Sequence, residues 1–344
     1  MIRIQRSGGA CTRAFLSATV AAAMVVGVNA GASAQQTLRL THNVSDETTW
    51  HEGAERFKEL VAERTDGELE IRLHPNAELS GGDQIRMVEM VGRGQLDFAL
   101  TSAINATPMM EEMAVFSLPY IYEDYDDVDA TLEGPPAERM AEIMREEGLV
   151  TLAWGENGFR QITNSQHPIR TPSDLEGLTI RVAGPMYIDV MEDLGANPEQ
   201  MQWTEVFSAL QQGVVDGQEN PIGAIIVPQR IYEVQDYITV WNYSYDPLFL
   251  AVSEQLWTSL DAETQEILRG AAQEAMEYQV AISRERTAEG LDRLREEGME
   301  VTELSAEEID AFREATRDSY NAWRERIGPE LVELFEETVA ESRQ

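Results

Sequence analysis

The chain has 344 residues, 43% of them hydrophobic, enough for a substantial core and about two domains. Acidic residues outnumber basic ones 62 to 26, and a formal charge of −36 excludes the basic face that nucleic-acid binding needs and disfavours anionic membrane surfaces. Lys58 is the single lysine, so the positive charge is nearly all arginine; this balance suits concentrated salt, where screening blunts self-repulsion.

Residues 1–34 read as a cleaved secretory leader. Arg3, Arg6 and Arg13 give a basic start, residues 14–28 are largely apolar, and Ala32-Ser33-Ala34 supplies the cleavage site. Its removal takes away three arginines and no acid, moving the charge from −36 to −39. It also removes Cys11, the only cysteine, so the mature chain is expected to have no disulfide, thiol nucleophile or zinc thiolate. No later apolar run is long enough to span a bilayer, and an exported, monomeric protein without membrane insertion is expected.

Strands are expected at residues 37–41, 69–73 and 96–100. Between them lie a helix over 48–65, with Ala54, Phe57, Leu60 and Val61 inward, and one capped by Asp83, with Ile85, Val88 and Val91 inward. This alternation predicts a parallel α/β sheet, whose polar loops after strand ends bind ligands. His42-Asn43 and Thr101-Ser102, with Asn105, are such loops.

Residues 116–120 are apolar, helical stretches follow at about 127–132 and 136–147, and a strand is expected over 149–154. Gly155-Glu156-Asn157-Gly158 breaks the pattern, like a crossing between domains, before a strand over 159–163 that carries Arg160. Residues 178–221 then form a second α/β unit. Arg181 lies near the end of its first strand, and its helices cover 186–194, with Ile188 and Met191 inward, and 204–212, with Val206, Phe207 and Leu210 inward. Asp216 to Pro221 reads as a polar turn, followed by helix to about 234 and strands at 237–241 and 248–252.

From 261 to 297 one helix is expected, with Ile267, Leu268, Ala271, Ala275, Tyr278 and Ile282 near helical spacing. At 1.5 Å per residue it spans ~55 Å, enough to brace two lobes. Ser305 and Glu308 form a capping box opening a helix through Trp323, and another covers 331–339.

The catalytic inventory is thin. His42, His51, His74 and His167 show no metal-ligand spacing, and no P-loop, G-x-G-x-x-G or nucleophile elbow is present. Neither a cofactor nor a metal is expected, and the protein reads as a non-enzyme. Arg160 and Arg181 sit on strands among buried residues. Each reads equally well as a structural arginine paired with one of the many acids or as a bidentate reader of a ligand carboxylate. Trp203 reads as core or as a ligand-facing aromatic, and Asn220 as a turn former or a ligand donor.

At these residues the chain resembles the periplasmic solute-binding proteins of TRAP (tripartite ATP-independent periplasmic) transporters, the DctP type. The resemblance covers residues 35–344 and is carried by Gly158-Phe159-Arg160-Gln161, Leu178-Thr179-Ile180-Arg181-Val182, Gly195-Ala196-Asn197-Pro198 and the run from Ala209 to Pro221. It implies an α/β, two-lobed periplasmic-binding-protein-like fold with a long helix bridging both lobes. It also implies a cleft that closes on an organic acid, a C4-dicarboxylate, 2-oxo acid or sugar acid, and delivery to TRAP permease membrane subunits from the periplasm. By the same resemblance Arg181 holds the ligand carboxylate, Arg160 assists, Trp203 packs on the ligand and Asn220 hydrogen-bonds it. His42, Asn43, Thr101, Ser102 and Asn105 face the cleft from the first lobe, and Trp154 and Asn157 complete the candidate set. Lobe I is expected to comprise 35–157 and about 246–285, and lobe II 158–245 and about 286–344. Ser102, Asn105 and Ala183-Gly184 make the distal pocket neutral and small. A binding module for a sensor and a secreted hydrolase or lyase acting on carboxylates are the competing readings.

Overall fold

The computed structural model describes residues 35–344; the expected leader and Cys11 lie outside the described residues. The described chain opens with three mutually parallel strands, β1 (Gln36–Thr41), β2 (Leu69–His74) and β3 (Phe98–Ser102), alternating with α1 (Thr49–Arg64) and α2 (Gln84–Gly92). Both helices start where the sequence supplies a cap. The Thr48 hydroxyl accepts from the His51 amide, and the Asp83 carboxylate accepts from Ile85 and Arg86. Helices α3 (Tyr125–Leu132) and α4 (Pro135–Glu146) then lead into the 16-residue strand β4 (Leu149–Asn164).

The second run comprises β5 (Thr179–Val182), α5 (Pro185–Asp193), β6 (Asn197–Gln200), α6 (Trp203–Gln211), β7 (Gly217–Pro221), β8 (Tyr237–Val240) and β9 (Tyr245–Ser253). After the short α7 (Glu254–Trp257) come α8 (Ala262–Glu296), β10 (Glu300–Glu303), α9 (Ala306–Ala315), α10 (Arg317–Ile327) and α11 (Pro329–Ser342).

Strand β4 belongs to both halves of the molecule. Its first part, up to Phe159, pairs antiparallel with β9, which reaches β3 and so the opening sheet. Its second part, from Arg160, pairs antiparallel with β7 on one side and β8 on the other. The full order is β2-β1-β3-β9-β4-β7-β5-β6, with β8 and β10 branching from β4. The two glycines expected to break the pattern, Gly155 and Gly158, therefore lie inside a continuous strand. The crossing is made by register shifts at Thr151/Ala153 and Glu156/Gly158, and Gly158, at φ +116°, takes a backbone conformation that a side chain would disfavour.

Other expectations are corrected where tertiary packing overrides local propensity. Gly217–Pro221 is a fully buried strand, not a turn, because it is flanked by β4 and β5. Past Pro221 the helix does not continue to Val234. A π turn at Ile222–Ile226 gives way to loop, Arg230 takes a left-handed conformation at φ +53°, and only a 3-10 turn at Ile231–Glu233 follows. The helix opened by the Ser305–Glu308 capping box ends at Ala315, and α10 is a separate segment. Ile188 and Phe207 are only half-buried, and Tyr278, expected on the inner face of α8, is 42% exposed.

Helix α8 is 35 residues long, ~52 Å, and lies along α1 and β4 at one end and the Ile222–Ile226 turn and β10 at the other. Its buried face is built largely of small residues, Ala271, Ala272, Ala275, Ser283 and Gly290, so neighbouring backbone approaches closely. The C-terminal helices clasp both halves, α10 against α5 and the Glu111–Ser117 turn, α11 against α3 and α4. No described helix is long and apolar enough to cross a membrane.

Candidate functional site

Arg181 is buried in β5, between β6 and β7. Its Nε and Nη2 both donate to the Met201 carbonyl, at 3.1 and 2.8 Å. Those bonds use one edge of the planar guanidinium. The other edge, Nη1 with the second N–H of Nη2, has no hydrogen-bond partner among the described residues and borders a cavity. No acid pairs with Arg181 among the described residues. Burial pulls its pKa down to about 10, with Glu219 opposing and Arg160 adding to the depression, so the cation persists at neutral pH. The Trp203 ring lies 5.5 Å from its guanidinium carbon, within cation–π range.

Arg160 sits in a different electrostatic setting. It ion-pairs with Glu219 through Nε and Nη2 and with Asp246 through Nη1 at 3.0 Å, and it also donates to the Asn220 side-chain oxygen at 3.2 Å. Burial works against its charge, but Glu219 and Asp246 outweigh it and hold the pKa above the ordinary arginine value. Burial raises the pKa of Asp246, while Arg160 and the Asn157 amide favour its charge. Tyr243 donates its hydroxyl to Glu219 at 2.8 Å. The structural reading thus describes what Arg160 does in the fold, although it still borders the cavity.

The cavity is narrow, with about 20 Å³ open to a water-sized sphere, room for about one water. The second half of the molecule contributes Arg160, Arg181, Ala183, Trp203, Asn220 and Ile225; the first contributes Asn43, Val44, Trp50, Gln84, Ser102, Asn105 and Asn157. Eight residues singled out from sequence are therefore brought together: Arg181, Arg160, Asn220, Trp203, Asn43, Ser102, Asn105 and Asn157. Three are placed elsewhere. Thr101 stands behind the wall, donating its hydroxyl to Asn43 at 2.9 Å. His42 is buried against His51, with Nε2 and Nδ1 2.9 Å apart, and burial followed by His51 lowers its pKa to about 3, so it is neutral. Trp154 packs against Phe116 and Phe249 and lines a separate concavity beside Asp129 and Arg284.

Trp50, Gln84, Val44 and Ile225 were not among the expected site residues, whereas Ala183 was expected at the pocket without a polar contact. Two of them carried a signal. Gln84 precedes Val88 and Val91 at i+4 and i+7, and Trp50 precedes Ala54 and Phe57 in the same way, so each lies on its helix's buried face. Ile225, in the π turn, had none.

The wall opposite Arg181 is a chain of amides. The Trp203 amide donates to Gln84 Oε1 at 3.1 Å, Gln84 Nε2 to Asn105 Oδ1 at 2.8 Å, and Asn105 Nδ2 to Thr101 Oγ1 at 3.0 Å. Thr101 donates on to Asn43 Oδ1. Gln202 Oε1 also accepts from the Gln84 amide at 3.0 Å, so α2 and the start of α6 are tied across the cavity. No group of three or more metal-ligating side chains is placed to hold an ion among the described residues.

The model for "Bacterial extracellular solute-binding protein, family 7", the DctP family, matches residues 40–326. The 2,3-diketo-L-gulonate-binding periplasmic protein YiaO of Escherichia coli is 32% identical over 83% of this chain and 88% of its own. The C4-dicarboxylate-binding periplasmic protein DctP of Rhodobacter capsulatus is 31% identical over 96% of this chain and 99% of its own. Among solved structures, a TRAP periplasmic solute-binding protein from Ralstonia eutropha H16 with bound (S)-2-acetolactate superposes with a TM-score of 0.87 at 37% identity, covering 89% of this chain and 99% of that one. The architecture is therefore the two-lobed one, with a mixed sheet rather than two purely parallel ones.

Proposed function

This chain belongs to the bacterial extracellular solute-binding protein family 7, and from that premise we propose that it is the extracytoplasmic binding component of a TRAP transporter for a small organic acid, with Arg181 holding the ligand carboxylate. The observation that carries the role of Arg181 is its unspent guanidinium edge at a narrow cavity lined from both halves of the molecule. Every other cation bordering that cavity, Arg160 alone among the described residues, is already neutralised by buried acids. A fork of two parallel N–H donors matches a carboxylate, and the low-dielectric surroundings strengthen the pair. Trp203 covers the guanidinium, and Asn220, Asn157 and Ser102 border the space beside it.

The lobes divide where β4 and β9 cross, with α8 spanning both, and closure about that crossing buries the anion. The joined outer surface is what permease membrane subunits recognise. Relatives are periplasmic binding proteins by name, and residues 1–34 fit a cleaved leader that delivers this chain to the same compartment. The test is a thermal-shift screen of organic acids on the leader-free protein and on Arg181→Ala. Stabilisation by carboxylates that disappears in the variant supports the reading. Micromolar binding retained without Arg181, or stabilisation only by neutral or cationic compounds, overturns it.

A further inference from the structure

Resting on that reading of Arg181, we propose that the site selects a short monocarboxylate carrying a neutral oxygen acceptor, an oxo or hydroxyl group, that Asn43 reads that oxygen, and that dicarboxylates are excluded. Two independent observations lead there, one of charge and one of hydrogen-bond direction.

The charge observation concerns what remains to meet a second carboxylate. The cations bordering the cavity are Arg160 and Arg181. Arg160 is shared between Glu219 and Asp246, so this buried triad carries no surplus positive charge. His42, the nearby imidazole, is neutral and outside the lining. Once a ligand carboxylate occupies the free edge of Arg181, a second one would be desolvated among amides and beside two buried acids. A charge buried without a partner is disfavoured far more strongly than a neutral oxygen that finds a donor.

The direction of the amide chain fixes which donor that is. A backbone N–H can only donate, so the Trp203 amide forces Gln84 Oε1 to be the acceptor and Gln84 Nε2 the donor. Asn105 must then accept through Oδ1 and donate through Nδ2, to Thr101 Oγ1 at 3.0 Å. Asn105 Nδ2 also reaches Asn43 Oδ1 at 3.4 Å, which makes that oxygen the acceptor, and the Thr101 hydroxyl donates to it at 2.9 Å. Each amide orientation follows from the one before it, back to a main-chain group whose role is not in question. The chain ends at Asn43 Nδ2, which lines the cavity and has no hydrogen-bond partner among the described residues. Asn43 thus presents donors only. The unpartnered Asn43 N–H asks for an acceptor on the ligand, which a hydroxyl or ketone oxygen supplies and an alkyl chain does not.

The experiment is a calorimetric series on the leader-free protein with four-carbon acids at about pH 7.5: butanoate, its oxo and hydroxy derivatives, succinate and malate. At least one oxo or hydroxy monoacid binds more tightly than butanoate by about 5- to 150-fold, the cost of leaving one buried donor unpaired, and more tightly than either dicarboxylate. Lowering the pH to about 5 protonates one succinate carboxyl and tightens succinate by about 10-fold or more, while the monoacids change little. In Asn43→Ala the oxo or hydroxy advantage collapses and butanoate is little affected. Because the wild-type series stands by itself, misfolding of the variant leaves the selectivity claim testable. Succinate or malate binding at least as tightly as the monoacids at pH 7.5, and losing that binding in Arg181→Ala, overturns this inference and leaves the Arg181 reading intact. Equal weakening of all ligands in Asn43→Ala overturns the role of Asn43. Indifference of every ligand to Arg181→Ala overturns the underlying reading instead.

Discussion

The main-chain N–H of Trp203, at the start of α6, donates to the side-chain oxygen of Gln84, at the start of α2, across 3.1 Å. These residues are 119 apart in sequence, and their bond ties one half of the molecule to the other over the cavity. Gln84 also donates to Asn105, so it both holds the halves together and orients the wall. Gln84→Leu keeps the volume and removes the bonds. It is expected to weaken ligand binding by about 1–3 kcal/mol, through the half-buried Trp203 amide left without an acceptor. Calorimetry on any ligand found in the screen checks this, and unchanged affinity would show that the tie does not contribute to the bound form.

The two arginines should part company in unfolding experiments. Removing Glu219 leaves Arg160 buried with Asp246 as its only acidic partner, and breaking a buried pair costs about 3–5 kcal/mol. Glu219→Ala and Arg160→Ala are both expected to lower the denaturant midpoint strongly. Arg181→Ala, which breaks no ion pair, should lower it much less while abolishing ligand stabilisation. If Arg181→Ala unfolds as readily as Arg160→Ala, the division between a structural and a ligand-holding arginine fails.

Glu156, where β4 shifts register, makes the fold sensitive to pH. Its carboxylate pairs with Arg284 of α8 at 2.8 Å, and Arg284 reaches Asp129 of α3 at 2.5 Å and covers the Tyr125 ring. Tyr245 is the remaining titratable neighbour, and Glu156 Oε1 is buried without a partner. Burial raises the Glu156 pKa from 4.5 to about 7, with Arg284 opposing and Asp129 reinforcing the shift. The folded state therefore holds the proton more tightly than the unfolded state between those values. This group's contribution to stability falls as pH rises through that window, and its cost is complete above pH 7. Glu156→Gln removes the titration, so the variant gains on the wild type between about pH 5 and pH 8, by at most about 3 kcal/mol. Urea unfolding at both pH values checks it; a gap independent of pH would assign the profile to other groups.

Gly290 of α8 faces Ile222, and a Cβ placed there would stand 2.3 Å from Ile222 Cγ2. Alanine favours a helix interior over glycine by about 1 kcal/mol, but overpacking a buried contact costs about 1–3 kcal/mol. Gly290→Ala is therefore expected to lower the melting temperature. A rise would mean that Ile222 yields and that the close approach of α8 to the π turn is not needed.

Several features were legible before any tertiary information because they are local. Caps at Asp83 and Ser305 start helices where the side chain meets the next amides, and the 3.6-residue period placed Ala54, Phe57 and Val88 inward. The long helix was visible from Leu268, Ala271 and Ala275 recurring near helical spacing. Gly217–Pro221 was misread because its polar composition favours a turn, whereas the ladder bonds of β4 and β5 hold it as a strand. The acidic, nearly lysine-free composition likewise predicts gain of stability with NaCl, a property of summed surface charge rather than of any pair.

The sequence by itself determined the α/β class, the bridging helix and the presence of two arginines on strands, since these follow from periodicity and residue type. Which arginine is free was decided only by the tertiary structure. Arg160 finds its acids 59 and 86 residues away, at Glu219 and Asp246, through strand pairing across the crossing. Arg181 meets a backbone carbonyl and an aromatic ring instead. Two identical side chains, both buried, thus differ in what they can bind, because an arginine's availability is set by its partners in space and no window of sequence contains them.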